Sequence, residues 1–140
     1  MSFTKHLQNV WRNPSKDLLK DRMIEWRKGL SVTRIDRPTR LDRARNVGYK
    51  AKKGYILVRV RVLRGGRQRP KFKQGRRSKA RRRLKIVSKS YQRVAEERAA
   101  SKFKNCEVLN SYNLAKDGKY GWYEVILLDR EIVKNYAGME

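Results

Sequence analysis

Cysteine, histidine and long apolar runs are all scarce in this chain, and each scarcity removes a class of function. A single cysteine, Cys106, rules out an internal disulfide and fits a reducing compartment. It opens a strand pattern with no histidine partner, so it reads as a small buried hydrophobe rather than a nucleophile. The one histidine, His6, stands on an N-terminal helical segment with no cysteine near it. A zinc site of the His/Cys type needs about four ligands. No apolar run approaches the roughly 20 residues of a membrane span. Met1-Ser2-Phe3-Thr4-Lys5 lacks the apolar stretch of a signal peptide, so neither export nor a membrane partner is expected.

Acidic residues are the most informative absence. Between Asp42 and Glu96 there is none: the 53 residues Arg43 to Ala95 hold 21 Lys+Arg and no carboxylate. The other 87 residues carry 17 basic and 13 acidic residues, so the formal +25 sits almost entirely in one belt. Blocks of like charge repel and penalise the compact state unless an anionic partner offsets them. With membranes set aside, that partner is nucleic acid. Each Lys or Arg placed on a phosphate releases counterions, with a log–log salt slope of roughly −0.7 to −0.9 per contact.

No active site is legible. Gly65-Gly66 lacks the Gly-Lys-Ser/Thr that a phosphate-cradling loop requires. Glu96 and Glu97 are adjacent on a helix, about 100° apart, and cannot face each other across a substrate. Glu97 follows Arg93 by four residues, a structural pair. The chain is therefore expected to be no enzyme, with no cofactor, no metal and no small-molecule substrate.

What is present organises the chain. Phe3, Leu7, Val10 and Trp11 fall at helical spacing; Leu19, Met23, Trp26 and Leu30 form a second stripe, whose helix is expected to start with Asn13 as cap and Pro14 in the first position and to stop at Gly29. Trp11 and Trp26 read as core anchors. From Ser31 to Gly54 periodicity dissolves among Arg34, Arg37, Arg40, Arg43, Arg45, Lys50, Lys52 and Lys53, which predicts an irregular basic segment; Tyr49 within it is placed to stack on a base or pack on the fold. Tyr55 to Leu63 alternates Val58, Val60 and Val62 with Arg59 and Arg61, predicting a strand with one face inward and guanidiniums on the other. Arg67 to Arg83 reads as a basic loop that orders on binding. A helix is expected from about Lys79 to Lys102, then strands over Cys106–Leu114 and Lys119–Leu128 joined by Asp117-Gly118, a strong hairpin signal. The apolar run ending at Leu128 predicts a strand covered on both faces. A short helix is expected from Glu131 to Tyr136, capped by Asp129.

Helix-turn-helix, zinc-finger, basic-zipper and RNA-recognition-motif signatures are all missing. Phosphate and shape recognition remains. Three stretches are more specific: Arg43-Ala44-Arg45-Asn46-Val47-Gly48-Tyr49-Lys50-Ala51-Lys52-Lys53-Gly54-Tyr55, Arg59-Val60-Arg61-Val62-Leu63-Arg64-Gly65-Gly66-Arg67, and Tyr123-Glu124-Val125-Ile126-Leu127-Leu128-Asp129. With Val94–Ala99 and Val108–Tyr112, they resemble the ribosomal protein 15e family of archaeal and eukaryotic large subunits, in register over nearly the whole chain.

The resemblance implies an α+β domain with a three- or four-stranded mixed or antiparallel sheet, packed helices and long basic irregular segments. It implies one rRNA-binding domain over 1–140: N-terminal helices 3–30, a basic segment 31–54, a core 55–128 with a basic loop 64–83, and a short segment 129–140. It further implies large-subunit rRNA and neighbouring large-subunit proteins as partners, in the cytoplasm. Family members continue into a long basic C-terminal extension; this chain stops at Glu140, so contacts of that extension are not carried over.

The expected RNA-binding residues are Arg40, Arg43, Arg45, Tyr49, Lys50, Lys52, Lys53, Arg59, Arg61, Arg64, Arg67, Arg69, Lys71, Arg76, Arg77, Lys79, Arg81, Arg82 and Arg83. The alternative is a nucleic-acid chaperone or compaction protein acting outside the ribosome, which would bind arbitrary duplexes alike. Replacing Arg64 and Arg67 together by Glu is expected to block incorporation into large subunits while the far-ultraviolet circular dichroism stays largely intact. Equal loss of folding would mean that these side chains serve the core.

Overall fold

The Val/Arg alternation over Tyr55–Leu63 folds as a strand with those bounds. The structure, a computed structural model, describes residues 2–68, 71, 73–75, 77, 79, 84–85 and 88–133. Along the chain run α1 (Phe3–Arg12), α2 (Lys16–Lys28), β1 (Val32–Ile35), α3 (Leu41–Asn46) and β2 (Tyr55–Leu63). Then come β3 (Arg67–Gln68), β4 (Leu84–Lys85), α4 (Tyr91–Lys102), β5 (Cys106–Lys116), β6 (Tyr120–Asp129) and α5 (Arg130–Val133). The main sheet has the order β1-β2-β6-β5 with every neighbouring pair antiparallel, and β3 pairs with β4 in a separate ribbon. This is the α+β class that was expected.

Both faces of the sheet are covered. On one, Val58, Val60 and Val62 of β2 and Val125 and Leu127 of β6 pack under α4, whose contact residues are Ala95 and Ala99. Alanine at both positions lets the helix backbone approach the valines closely. On the other, Leu57, Tyr112, Trp122 and Ile126 meet Trp26 of α2 and Ala44 of α3. The Trp26 and Trp122 rings sit 5.9 Å apart at 59°. Trp122, Val125, Ile126 and Leu127 are each at most 1% exposed, as the apolar run predicted. Each such side chain contributes about 1.5–3 kcal/mol by leaving water. Trp11 is only half-buried, with the Arg40 guanidinium 5.1 Å over its ring.

Local chemistry sets the turns. Asp117 Oδ1 accepts the N–H groups of Lys119, at 2.7 Å, and of Tyr120, closing the β5–β6 hairpin at the predicted Asp-Gly. Asp129 Oδ1 accepts from Glu131 N at 3.0 Å and so starts α5. Residues 134–136, where the expected last helix would continue, lie outside the described residues. At the end of α3, Tyr49 N donates to Ala44 O at 2.9 Å and Gly48 N to Arg45 O at 3.1 Å. This is the Schellman pattern, and it requires the left-handed backbone found at Gly48, φ +98.

Three expectations are corrected. Residues 31–54 are not irregular throughout, because they contain β1 and α3. A four-residue edge strand and a six-residue helix are too short to display a period. The helix expected from Lys79 starts at Tyr91: Ser90 caps it by accepting from Arg93 N at 3.2 Å, and Leu84–Lys85 pairs as a strand with Arg67–Gln68. The second helix begins after Ser15 rather than at Pro14.

Gly48→Ala is expected to destabilise the domain by about 1–2 kcal/mol, the cost of a left-handed non-glycine residue. The added methyl would also stand 3.3 Å from Leu109 Cδ2. The urea midpoint should fall with an unchanged m-value; an unchanged midpoint would mean that the turn relaxes freely.

Candidate nucleic-acid interface

The acid-free belt begins on α3. Its burial alternates: Asp42 and Ala44 are buried, while Arg43 and Arg45 are exposed. The Schellman turn then swings the chain back so that Tyr49 is half-buried, edge-on to Tyr55 at 6.1 Å, leaving Lys50, Lys52 and Lys53 exposed beside it. Tyr49 thus packs on the fold.

Past β2 the chain turns at Gly65, φ +94, whose N–H donates to the Tyr91 hydroxyl at 2.8 Å. Arg64 is exposed and its guanidinium donates to the Asp117 carbonyl. Arg67 lies in the β3–β4 ribbon, and Lys71, Arg77 and Lys79 are exposed. Arg69, Arg76, Arg81, Arg82 and Arg83 lie outside the described residues.

Arg59 and Arg61 depart from the expected solvent-facing guanidiniums. Both project from the face of β2 opposite α4, and that face is covered too. Arg59 is half-buried with its guanidinium 4.7 Å over the Trp26 ring. Arg61 lies 4.8 Å over Tyr120 and donates to the Arg27 carbonyl at the end of α2. Burial pulls the Arg59 guanidinium below its usual value, against the nearby carboxylates of Glu124 and Glu25. The alternation correctly separated two faces; it contained no sign that aromatic rings cover the second.

The described ion pairs leave the belt largely unneutralised by the chain's own acids. Within the belt, Lys89 at 2.7 Å and Arg93 at 3.7 Å share the single carboxylate of Glu97. The Lys89 hydrogen bond leads in holding that exposed carboxyl below its usual value. Arg27–Asp117 and Arg40–Asp42, both 3.2 Å, involve no belt residue.

The sequence reading missed Glu124. It is fully buried in β6 and accepts from Thr39 N at 3.2 Å, from the Thr39 hydroxyl and from the Tyr112 hydroxyl. Those bonds tie the segment between β1 and α3, where the basic residues begin, to the centre of the sheet. Burying a carboxylate costs several kcal/mol, and charge-assisted hydrogen bonds return about 1.5–3 kcal/mol each, so the three donors are of the size needed to hold it. A signal was available: a carboxylate inside a run covered on both faces must be paired. Burial also pushes the Tyr112 hydroxyl far above its usual value, as do Glu124 and, more weakly, Asp42. Cys106 is a buried free thiol, raised by burial and by Asp129. Among the described residues no three His, Cys, Asp or Glu side chains converge as a metal site, and no helix is long and apolar enough to cross a membrane.

Burial pushes the Glu124 carboxyl above its usual 4.5, against the pull of Thr39, Tyr112 and Arg59. The folded chain then holds this proton more tightly than the unfolded one. The group's contribution to stability is complete below about pH 4.5 and is lost as pH rises through the folded value. Urea midpoints across pH should show wild-type stability falling relative to Glu124→Gln above that point, then levelling. Wild-type stability rising relative to Glu124→Gln as pH increases would contradict a carboxyl dominated by burial.

Comparison with known proteins adds the family. The family model described as ribosomal L15 matches residues 2–136. Large ribosomal subunit protein eL15 of Methanococcoides burtonii is 50% identical over 133 residues, covering 91% of this chain and 68% of that protein. The eL15 of Methanocella arvoryzae is 50% identical over 129 residues, 89% of this chain and 66% of its own length. The chain spans about two thirds of the length of these curated relatives. A match this long, over α3, β2, β6 and the belt between them, means that the chain belongs to the ribosomal L15e family.

Proposed function

We propose that this chain is a structural constituent of the large ribosomal subunit, which binds and stabilises large-subunit rRNA through Lys/Arg–phosphate contacts and acts in subunit assembly and translation. It works without catalysis, in the cytoplasm, beside neighbouring large-subunit proteins. The observation that carries this reading is the acid-free belt of 21 Lys+Arg in 53 residues, on a chain whose family is ribosomal. A domain that must sit among phosphates from several directions needs cations that are held in place but not neutralised. The exposed Arg43 and Arg45 on α3, Lys50 and Lys53 after its turn, and Arg64 at the end of β2 meet that requirement, and Lys52 is exposed beside them. Arg59 and Arg61 are proposed to contribute to RNA binding from their covered position. The further residues Arg40, Arg67, Arg69, Lys71, Arg76, Arg77, Lys79 and Arg81–Arg83 complete the proposed interface.

Sedimentation of cell extract through a sucrose gradient tests this reading. The native protein should travel with large-subunit particles at moderate salt and leave them only as salt is raised, with a steep log–log dependence. Finding it chiefly free of those particles, or binding arbitrary duplexes as tightly as rRNA, would favour a chaperone or compaction role instead.

A further inference from the structure

The cleft that receives Arg59 and Arg61 is not explained by phosphate binding. It lies between the C-terminal end of α2 and strands β1, β2 and β6, opens to solvent and has a volume of about 170 Å³. The residues lining it include Trp26, Trp122, Arg59, Arg61, Thr33 and Glu25. Leu30, 73% exposed, stands at the rim. Trp122 is 1% exposed, yet its indole Nε1 has no hydrogen-bond partner among the described residues. Such an orphaned donor calls for an explanation.

We propose that this cleft takes one unstacked nucleobase, guanine by preference, from the RNA held by the belt. The proposal rests on the RNA-binding reading above. A phosphate is disfavoured here because Glu25 would repel it and because indole walls offer an anion little. A neutral aromatic ring suits all of these groups. Bases splayed from single-stranded RNA stack on aromatic rings and on guanidinium planes. Trp26 restrains Arg59 and Tyr120 restrains Arg61, so little side-chain freedom is left to lose on binding. Guanine presents O6 and N7 as acceptors to arginine, and its N1–H and N2–H groups suit the carboxylate of Glu25. Adenine presents no such paired donors, and a pyrimidine fills less of the space.

Tryptophan emission reads the cleft directly. In a Trp11→Phe chain the only indoles are Trp26 and Trp122, both lining it. The probes are decameric single-stranded oligouridylates carrying a central guanosine, adenosine or abasic site. The guanosine probe should quench emission saturably and bind roughly tenfold tighter than the abasic one. Glu25→Gln should abolish the preference for guanosine over adenosine and leave the salt slope unchanged. Equal affinity and equal emission with all three probes would overturn the base pocket and leave the belt's RNA binding intact. Failure of every probe to bind at low salt would overturn both readings. As a second measurement, Leu30→p-benzoylphenylalanine in assembled particles should crosslink to RNA; crosslinks to protein alone would give the cleft to a polypeptide and overturn the proposal.

Discussion

Mutual repulsion among cations with almost no carboxylate in reach is the constraint around which this domain is built. A chain with 21 positive charges in 53 consecutive residues can relieve them internally or keep them for a partner. Internal relief would need acids folded back onto the belt. Among the described residues it includes one ion-paired carboxylate, Glu97, shared by Lys89 and Arg93, the field of Glu124 and Glu25 at Arg59, and that of Asp117 at Arg64. The other restraints on belt arginines are neutral. Arg59 lies over Trp26, Arg61 over Tyr120 and against the Arg27 carbonyl, and Arg64 against the Asp117 carbonyl. Rings and carbonyls fix a guanidinium without cancelling its charge. The fold therefore spends side-chain entropy in advance while leaving the electrostatic attraction for an outside polyanion.

The acids that are buried serve position instead. Glu124 draws Thr39 onto the sheet and shares Tyr112, so the segment entering α3 is tied to the core. Asp42 is buried beside Arg40 at the first turn of α3. From there Arg43 and Arg45 follow outward by helical geometry, and the Schellman turn at Gly48 delivers Lys50 to Lys53 to the surface. A few buried polar contacts on one side of the sheet thus set the direction of the cations on the surface, while α4 closes the other side with Ala95 and Ala99.

Much of this was legible because its causes are local. The bounds of β2, the Asp117-Gly118 hairpin, the two N-terminal helices and the Asp129 cap all follow from period, turn chemistry or capping within a few residues. The parts that were not legible depend on distant partners. β1 exists because β2 offers it an edge, and Leu84–Lys85 is extended because Arg67–Gln68 pairs with it. The helical rhythm continuing back from Tyr91 was overridden by the Ser90 cap. The covering of the Arg59 face needed Trp26, more than thirty residues away in the chain, and the burial of Glu124 needed Thr39, eighty-five residues away. The belt itself was visible from composition alone, since it is defined by what it lacks. How its arginines are held was not.

The central claim, that these cations are kept for RNA, is tested most directly by lysine acetylation mapped by mass spectrometry in intact large subunits and in the isolated chain. Lys50, Lys52, Lys53, Lys71 and Lys79 should be protected in the particle and become reactive after ribonuclease digestion, with their charge neutralised by phosphate until then. Equal reactivity of those lysines in the particle and in the isolated chain would contradict the account.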